Sequence, residues 1–141
     1  MIILDTNVIS EFGKAQVSER VSAWFAAQDP QDLATTTINE AELLVGIALL
    51  PDGRRKLYLE REMSALLNFF GGRIFPFDRG AARELPALTL MRRSALLPTN
   101  QADGQIAAIA RLRGASIATR NIGDFDRCTI SLINPWTGEQ R

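Results

Sequence analysis

The sequence predicts an α/β fold in which a central, mostly parallel sheet is flanked by helices. Short apolar or β-branched runs alternate with longer segments of helical periodicity, a pattern typical of parallel strands joined by helices. The chain has 141 residues, of which 46% are hydrophobic and 23% charged. This length and composition suit a single domain over residues 1–141 that can bury a substantial core.

The first half of the chain contains two strand signals, each followed by helical segments. The apolar run at the N-terminus and a β-branched run ending at Thr36 are the strand signals, and apolar residues at helical spacing follow both. Pro51-Asp52-Gly53 ends the second helical stretch. In order, we expect a strand over 1–5, helices over 8–12 and 18–28, a strand over 33–36 and a helix over 37–50.

The second half repeats the alternation. Gly71-Gly72 and Gly114 are natural helix ends, and Asp78 is a good cap for the helix that follows it. Pro86 lies inside that helix and removes a backbone N–H, so we expect a kink or restart there. In order, the elements are a helix over 54–70, a strand over 73–77, the helix after Asp78, a helix over 101–113, a strand over 116–119, a loop over 120–126 and a strand over 129–133.

The composition excludes several kinds of site. The chain has no histidine and a single cysteine, Cys128. A histidine base, a histidine-containing zinc site and an intramolecular disulfide are therefore excluded, and a reducing cytoplasm is the expected location. No apolar run approaches the roughly 20 residues that a membrane span needs.

The formal charge balances, with 16 Lys+Arg and 16 Asp+Glu. Any contact with nucleic acid must therefore come from local basic patches rather than from an overall positive field. Each patch taken alone is also compatible with an ordinary solvated helix face. The candidate phosphate contacts are Arg54, Arg55, Lys56 and Arg120.

Asp5 ends the first strand and is the leading candidate for a functional acid. Ligands of open α/β sheets bind outside the carboxyl ends of the strands, where Asp5 is expected. The alternative is that Asp5 caps the following helix. Thr6 and Asn7 also offer capping groups, which favours a functional role for Asp5.

Glu42 is the second candidate. Thr37 and Glu40 fit a capping box, which makes Glu40 structural. Glu42 instead lies on an apolar stripe of the same helix, where an ionised group is unfavourable unless it is paired or binds a metal. The helix is apolar on its other sides too, so we expect it to be buried in the core or in a subunit interface.

For two further acids, Asp103 and Asp124, the surrounding sequence leaves a structural and a functional role open. Asp103 is either an acid in the first turn of its helix, favoured by the helix dipole, or a group that points into the cleft. Asp124 follows a strand within a loop and is either a turn former or a site acid. Asn121 lies nearer the strand end and competes with Asp124 for that place.

Four converging carboxylates would repel one another and raise one another's pKa values. Mg²⁺ or Mn²⁺ relieves that repulsion, since these hard cations prefer oxygen ligands. Such cations also support phosphate chemistry by activating water and stabilising the leaving oxygen.

Five segments in order resemble the PIN-domain family, and in particular its VapC toxins and their FitB-like branch. They are Met1–Glu11, Ala41-Glu42-Leu43 with Gly46, Ala102-Asp103 with Ile106-Ala107-Ala108, Ala118–Asn121 with Asp124-Phe125, and Asn134-Pro135-Trp136. The resemblance covers essentially the whole chain. It departs at Asn121, where FitB-like proteins can carry an acid, and at Pro86.

The resemblance implies a Mg²⁺- or Mn²⁺-dependent endoribonuclease, the toxin of a type II toxin–antitoxin pair. It implies catalytic and metal-binding roles for Asp5, Glu42, Asp103 and a fourth residue, Asp124 or Asn121, with Thr6, Asn7 and Thr119 in support. It also implies a homodimer and an antitoxin segment across the acidic cleft. The expected reaction is hydrolysis of RNA, with single-stranded loops such as those of tRNA as targets. A PIN-like module that binds without cleaving is the rival.

Overall fold

The computed structural model describes the whole chain, Met1–Arg141, as an α/β fold built on one five-stranded sheet. All four strand pairings are parallel, and the strand order is β3-β2-β1-β4-β5. The predicted fold class is therefore confirmed. The strands are β1 (Ile2–Leu4), β2 (Leu33–Thr36), β3 (Ile74–Phe75), β4 (Ser116–Ala118) and β5 (Leu132–Ile133).

Six α-helices connect or flank these strands. Side chains cap five of them at the N-terminus, as the polar residues before each helical pattern suggest; the caps are Asp5, Ser18, Thr36, Asp78 and Asn100. Gly114 ends the last helix in the left-handed conformation, with φ of 60°. The helices are α1 (Thr6–Glu11), α2 (Glu19–Ala26), α3 (Thr37–Ala48), α4 (Arg54–Phe70), α5 (Arg79–Ser94) and α6 (Gln101–Arg113).

The sheet has a hydrophobic core on each face. Adjacent strand residues point to opposite faces, so Ile3 belongs to one core and Leu4 to the other. The first core packs the sheet against α5 and α6, and Ile106 and Leu88 are among its fully buried side chains. The second core packs the sheet against α1 to α4. Helices therefore cover both faces of the sheet, as an all-parallel sheet requires.

The central strand β1 places the candidate site. It pairs with β2 on one side and with β4 on the other. The chain runs from β1 to β2 and β3 on one side and then returns to β4 and β5 on the other, so the strand order reverses at β1. A crevice forms at such a switch point in open parallel sheets. Asp5 follows β1 directly and lies at this point.

The prediction that the helix restarts at Pro86 was wrong, whereas the alternative, a kink, stays a prediction. Helix α5 runs without interruption from Arg79 to Ser94, with Pro86 inside it. Pro86 is on the exposed side, where water can reach the carbonyl that it leaves without a partner. The buried side, with Ala81 and Leu88, packs on α6 and holds the helix together.

None of the helices combines the length and the apolar character that a membrane crossing requires.

Candidate active site

Asp5 is the centre of a hydrogen-bond network at the carboxyl end of β1. The residue is only 7% exposed, and its carboxylate accepts four hydrogen bonds. The donors are Thr6 N (2.8 Å) and Asn39 Nδ2 (3.1 Å) on Oδ1, and Asn7 Nδ2 (2.8 Å) and Thr119 Oγ1 (2.7 Å) on Oδ2. The bond from Thr6 N also makes Asp5 the cap of α1, so the two interpretations that the sequence offered for Asp5 are compatible.

Burial raises the pKa of Asp5. The hydrogen bonds from Thr119, Thr6 and Asn7 oppose this rise, and the negative charge of Glu42 adds to it. The carboxylate is thus fixed in position but carries its charge at a free-energy penalty.

Asn39 is a member of this network that the sequence analysis missed. It is completely buried, and its amide donates to Asp5 Oδ1 and to Thr6 Oγ1, at 3.1 Å each. Its own oxygen accepts a 2.6 Å bond from Thr36 Oγ1, so every polar atom of its side chain is used. The only signal in the sequence was an asparagine three residues after a potential helix cap.

The expected capping box between Thr37 and Glu40 was wrong. The cap is Thr36, whose hydroxyl accepts from Asn39 N at 3.2 Å. Thr36 lies one residue earlier because β2 ends there in extended conformation, and the third helical position therefore falls on Asn39.

Glu42 reaches the site from the surface rather than from the core. It is exposed, and its Oε2 accepts a 2.5 Å hydrogen bond from Thr6 Oγ1. Of the two alternatives for α3, burial in the core of the monomer is wrong, since Leu44, Val45 and Leu49 are at least half exposed; burial in a subunit interface stays a prediction. Only the face with Leu43 packs on the core, because a helix on the outside of a sheet buries one stripe.

Asp103 lies in the first turn of α6, three residues after the cap Asn100. Its carboxylate accepts no hydrogen bond. Partial burial raises the pKa of Asp103 to about 6, and the negative charges of Asp124, Asp5 and Glu42 add to this rise. The four carboxylates therefore lie within range of one another's charge, and we call the space they share the acidic cleft.

Asp124 and Asn121 occupy different places in the loop after β4. Asp124 is exposed, lines a pocket together with Asp103, and raises the pKa of Asp103 more than any other charged group. Asn121 is also exposed, but its recorded contacts are made by its backbone: its N–H donates to Thr119 Oγ1 at 3.0 Å, and its carbonyl accepts from Asp124 N. The geometry thus favours Asp124 as the fourth acid and gives Asn121 a turn-forming role.

Arg92 is a second residue that the sequence analysis missed. It is 4% exposed, and its guanidinium donates three bonds of 3.1 Å or less to two backbone carbonyls, two to Pro98 O and one to Asp126 O, with a longer 3.4 Å bond to Gly123 O. These carbonyls belong to the loops that precede α6 and flank Asp124. Arg92 therefore ties together the two segments that carry Asp103 and Asp124, and its charge lowers the pKa of Asp103.

The acidic cleft fits a divalent cation in its chemistry. Its four acids form no salt bridge with any Lys or Arg side chain, and the one positive charge that acts on Asp103 is that of Arg92, which lines the same pocket. All their ligand atoms are oxygens, the type that Mg²⁺ and Mn²⁺ prefer. No three acidic side chains are grouped tightly enough to hold an ion by themselves, so water or substrate oxygens must complete any such site.

The four candidate basic residues differ in their surroundings. Arg120 is exposed beside the network, since its backbone N–H donates to Asn7 Oδ1 at 3.0 Å. Arg55 lines a groove that begins at Thr6 and Glu42, whereas Arg54 is exposed outside that groove.

The interpretation of Lys56 as a free phosphate contact is not supported. Its ammonium binds Asp52 Oδ1 and the carbonyl of Ala48, both at 3.2 Å. Lys56 thus closes the C-terminal end of α3, where a positive charge is favoured by the helix dipole.

The fold and the acidic cleft together define a known class of protein. The model of the PIN domain family matches residues 2–129. The chain therefore belongs to the PIN-domain family.

Two curated relatives are similar over nearly their whole length. The VapC ribonuclease Y4jK of Sinorhizobium fredii is 38% identical over 137 residues, which cover 96% of this chain and 98% of the relative. Toxin FitB of Neisseria gonorrhoeae is 39% identical over 137 residues, which cover 96% of this chain and 99% of the relative. The chain thus falls in the VapC and FitB group of PIN-domain proteins, as its sequence motifs suggest.

Solved structures agree with this placement. The crystal structure of FitAcB from Neisseria gonorrhoeae matches with a TM-score of 0.91 and 38% identity, over 97% of this chain and 99% of that one. A toxin–antitoxin complex from Klebsiella pneumoniae matches with a TM-score of 0.70 and 25% identity, over 96% and 98% of the two chains.

Proposed function

We propose that this protein is a divalent-metal-dependent endoribonuclease and the toxin of a type II toxin–antitoxin pair. The observation that carries the proposal is the acidic cleft, in which four carboxylates from separate parts of the chain lie within range of one another's charge and none forms a salt bridge. The similarity to a VapC ribonuclease and to toxin FitB supports nuclease activity and toxicity. Hydrolysis of RNA in the cytoplasm, with inhibition of translation and growth, is the activity that we assign.

Each residue of the cleft has a proposed task. Asp5 and Asp103 would hold a Mg²⁺ or Mn²⁺ ion, Asp124 would complete the site, and Glu42 would orient the attacking water. Asn7 and Thr119 would keep Asp5 in place through their 2.8 and 2.7 Å bonds to Oδ2. Thr6 would do the same for Glu42.

The bound ion would activate water at neutral pH and stabilise the negative charge that develops on the phosphate and the leaving oxygen. The products would be a 5′-phosphate and a 3′-hydroxyl. Single-stranded loops, including those of tRNA, are the proposed targets because a helix hides both the in-line geometry and the base edges.

A cognate antitoxin and a second copy of the chain are the proposed partners. A toxin–antitoxin complex is among the similar structures, which supports the first. The exposed apolar side chains of α3, Leu44, Val45 and Leu49, support a protein–protein contact on that helix. We assign this face to the homodimer.

The decisive experiment measures cleavage of total RNA with added Mg²⁺ or Mn²⁺ and with EDTA. We expect native protein to cleave only with the metal, and Asp5→Asn, Asp103→Asn and Glu42→Gln to lose at least a factor of about 100 in rate. Glu40→Gln is the matched control, because Glu40 lies on the same helix as Glu42 but outside the cleft, and it should cleave normally.

The rival, a binding module without activity, gives a different result. It would bind RNA or antitoxin, but native and substituted proteins would show the same residual cleavage, that of a contaminating nuclease. Titration of Mn²⁺ by electron paramagnetic resonance tests the metal independently of activity. Asp103→Asn should bind Mn²⁺ at least about 10-fold more weakly than native protein.

A further inference from the structure

Two side chains in contact, Arg120 and Trp136, follow the carboxyl ends of β4 and β5, at the same edge of the parallel sheet as Asp5. The guanidinium carbon of Arg120 is 5.3 Å from the centre of the Trp136 ring. Arg120 is exposed and Trp136 is half-buried, so the guanidinium covers the ring and faces solvent. This is the geometry of a cation–π contact.

Both members of the pair are fixed to the site. The backbone N–H of Arg120 donates to Asn7 Oδ1, and the amide of Asn7 donates to Asp5. Asn134, which is 7% exposed, joins the two members: its Nδ2 donates to Arg120 O at 3.2 Å, and its Oδ1 accepts from Trp136 N at 2.9 Å.

The charge of Arg120 is available for a ligand. Arg120 forms no salt bridge, and Glu11, the carboxylate that feels its charge, is already bound by Lys14 Nζ at 2.6 Å and Ser18 N at 3.0 Å. Arg20, also exposed and without a salt bridge, donates to Trp136 O at 3.2 Å and adds a second positive charge. Arg120 and Arg20 therefore form a basic patch around Trp136, at the edge of the sheet where Asp5 lies.

We propose that Arg120, held against Trp136, binds the phosphodiester backbone of single-stranded RNA next to the bond that is cleaved. The inference rests on the proposed function and names the contact that brings the substrate to the site. A strand that approaches four carboxylates is repelled, so a positive group is needed beside them. An aromatic partner orients the guanidinium without neutralising it, and the N–H donors at its edge stay free for phosphate oxygens.

The test measures binding of a short, fluorescein-labelled single-stranded RNA to the full chain in EDTA, where no cleavage occurs. Arg120→Gln should weaken binding by about 5- to 10-fold. It should also make the plot of log affinity against log salt concentration less steep by about 0.7, since one phosphate contact is lost. Arg120→Lys should keep the slope and recover part of the affinity.

Arg113→Gln is the matched control. Arg113 also stacks on an aromatic ring, with its guanidinium carbon 4.0 Å from the centre of Phe75. It lies ten residues beyond Asp103 on α6, which is about 15 Å along the helix axis. We expect native affinity and native slope for this variant.

The role of Trp136 is to position the guanidinium, and it is tested separately. Trp136→Leu should lower the affinity while keeping the salt slope, because the charge remains but is no longer oriented. Trp136→Phe should restore most of the affinity.

The outcomes separate this inference from the proposed function. If native protein cleaves RNA but Arg120→Gln keeps native affinity and slope, the inference is overturned and the function stands. If RNA binding depends on Arg120 but no metal gives cleavage, the proposed function is overturned, and of the inference only the RNA contact of Arg120 stands. If the native chain binds no RNA, or Arg113→Gln weakens binding as much as Arg120→Gln, the inference is overturned.

Discussion

The acidic cleft has two halves that are built in opposite ways. On the β1 side, Asp5 is buried and accepts four hydrogen bonds, so its position is over-determined. On the α6 side, the carboxylates of Asp103 and Asp124 accept none, and what holds them is the backbone that Arg92 binds.

The difference shows how a site can be both ordered and ready for a cation. Hydrogen bonds to a carboxylate stabilise its ionised form and fix its direction, as for Asp5. Asp103 accepts no such bonds: partial burial raises its pKa, and the negative charges of Asp124, Asp5 and Glu42 raise that pKa further. The cleft thus combines a half whose carboxylate is fixed by hydrogen bonds with a half whose carboxylates repel their neighbours. A bound cation would remove that repulsion.

The largest effect is expected for Arg92→Met, which removes the link between the loops of the α6 half. It leaves Pro98 O and Asp126 O without their donor and should lower the free energy of unfolding by about 3 kcal/mol. Urea denaturation measures this change. Arg93→Met is the control, because Arg93 is an exposed neighbour whose side chain makes no recorded contact, and it should stay within about 0.5 kcal/mol of native. Equal losses for the two variants would contradict the role assigned to Arg92.

The next effect tests the fixed half. Asp5→Asn replaces one carboxylate oxygen by an amide NH₂, which cannot accept the hydrogen bonds that this oxygen accepts in the native protein. The substitution should therefore cost about 2 kcal/mol of stability. Thermal unfolding of the metal-free protein measures it. A variant as stable as native would show that the network around Asp5 does not require a charge.

Asp103→Asn, in contrast, is expected to raise the stability of the metal-free protein at neutral pH. The folded protein holds a proton on Asp103 more tightly than the unfolded chain, since its pKa is raised from 3.8 to about 6. The native metal-free protein should therefore lose stability as the pH rises from about 4 to about 6 through this group. Asp103→Asn removes that loss and should be more stable than native at pH 7 but not at pH 4, by about 1 kcal/mol once solvent screening of this half-exposed carboxyl is allowed for.

Unfolding in EDTA at both pH values checks this prediction, and a variant that is destabilised at pH 7 would refute it. If Asp103→Asn is instead stabilised at pH 7, its loss of cleavage is not a folding defect. Asp103→Asn is then a cleaner test of catalysis than Asp5→Asn.

The smallest effect compares two threonines of the network. Thr6→Val removes a bond to the exposed Glu42, which water can replace, and one of the two acceptors of Asn39 Nδ2, and it should cost about 1 kcal/mol. Thr119→Val removes a 2.7 Å bond to Asp5 at a fully buried position and should cost about 2 kcal/mol. The denaturant midpoints of the two variants, measured under the same conditions, give the ratio of the two stability losses.

The placement of strands, helices and caps was open to prediction because their signals are local. Helical spacing marked α2 and α4, and Asp78 and Asn100 cap the helices that the sequence suggested. Pro86 misled the prediction because its effect depends on whether its side of α5 meets water or a neighbour.

Residues that act by contact across the fold were not open to prediction. Asn39 reads as an ordinary first-turn asparagine, and its bond to Asp5 exists because β1 and β2 are neighbours. Arg92 sits in an Arg-Arg pair that resembles a solvated helix face, yet it is buried against two loops that follow it in sequence.

The sequence by itself determined the α/β alternation, the acids at the carboxyl ends of strands and the absence of histidine chemistry, because these follow from periodicity and composition. Tertiary structure decided which donors surround Asp5, which side of α3 meets the solvent and which residue of the loop after β4 lies beside Asp103. The physical reason is that hydrogen bonds and Coulomb forces act over a few ångströms in space, and only the packed sheet brings residues so far apart in sequence to that distance.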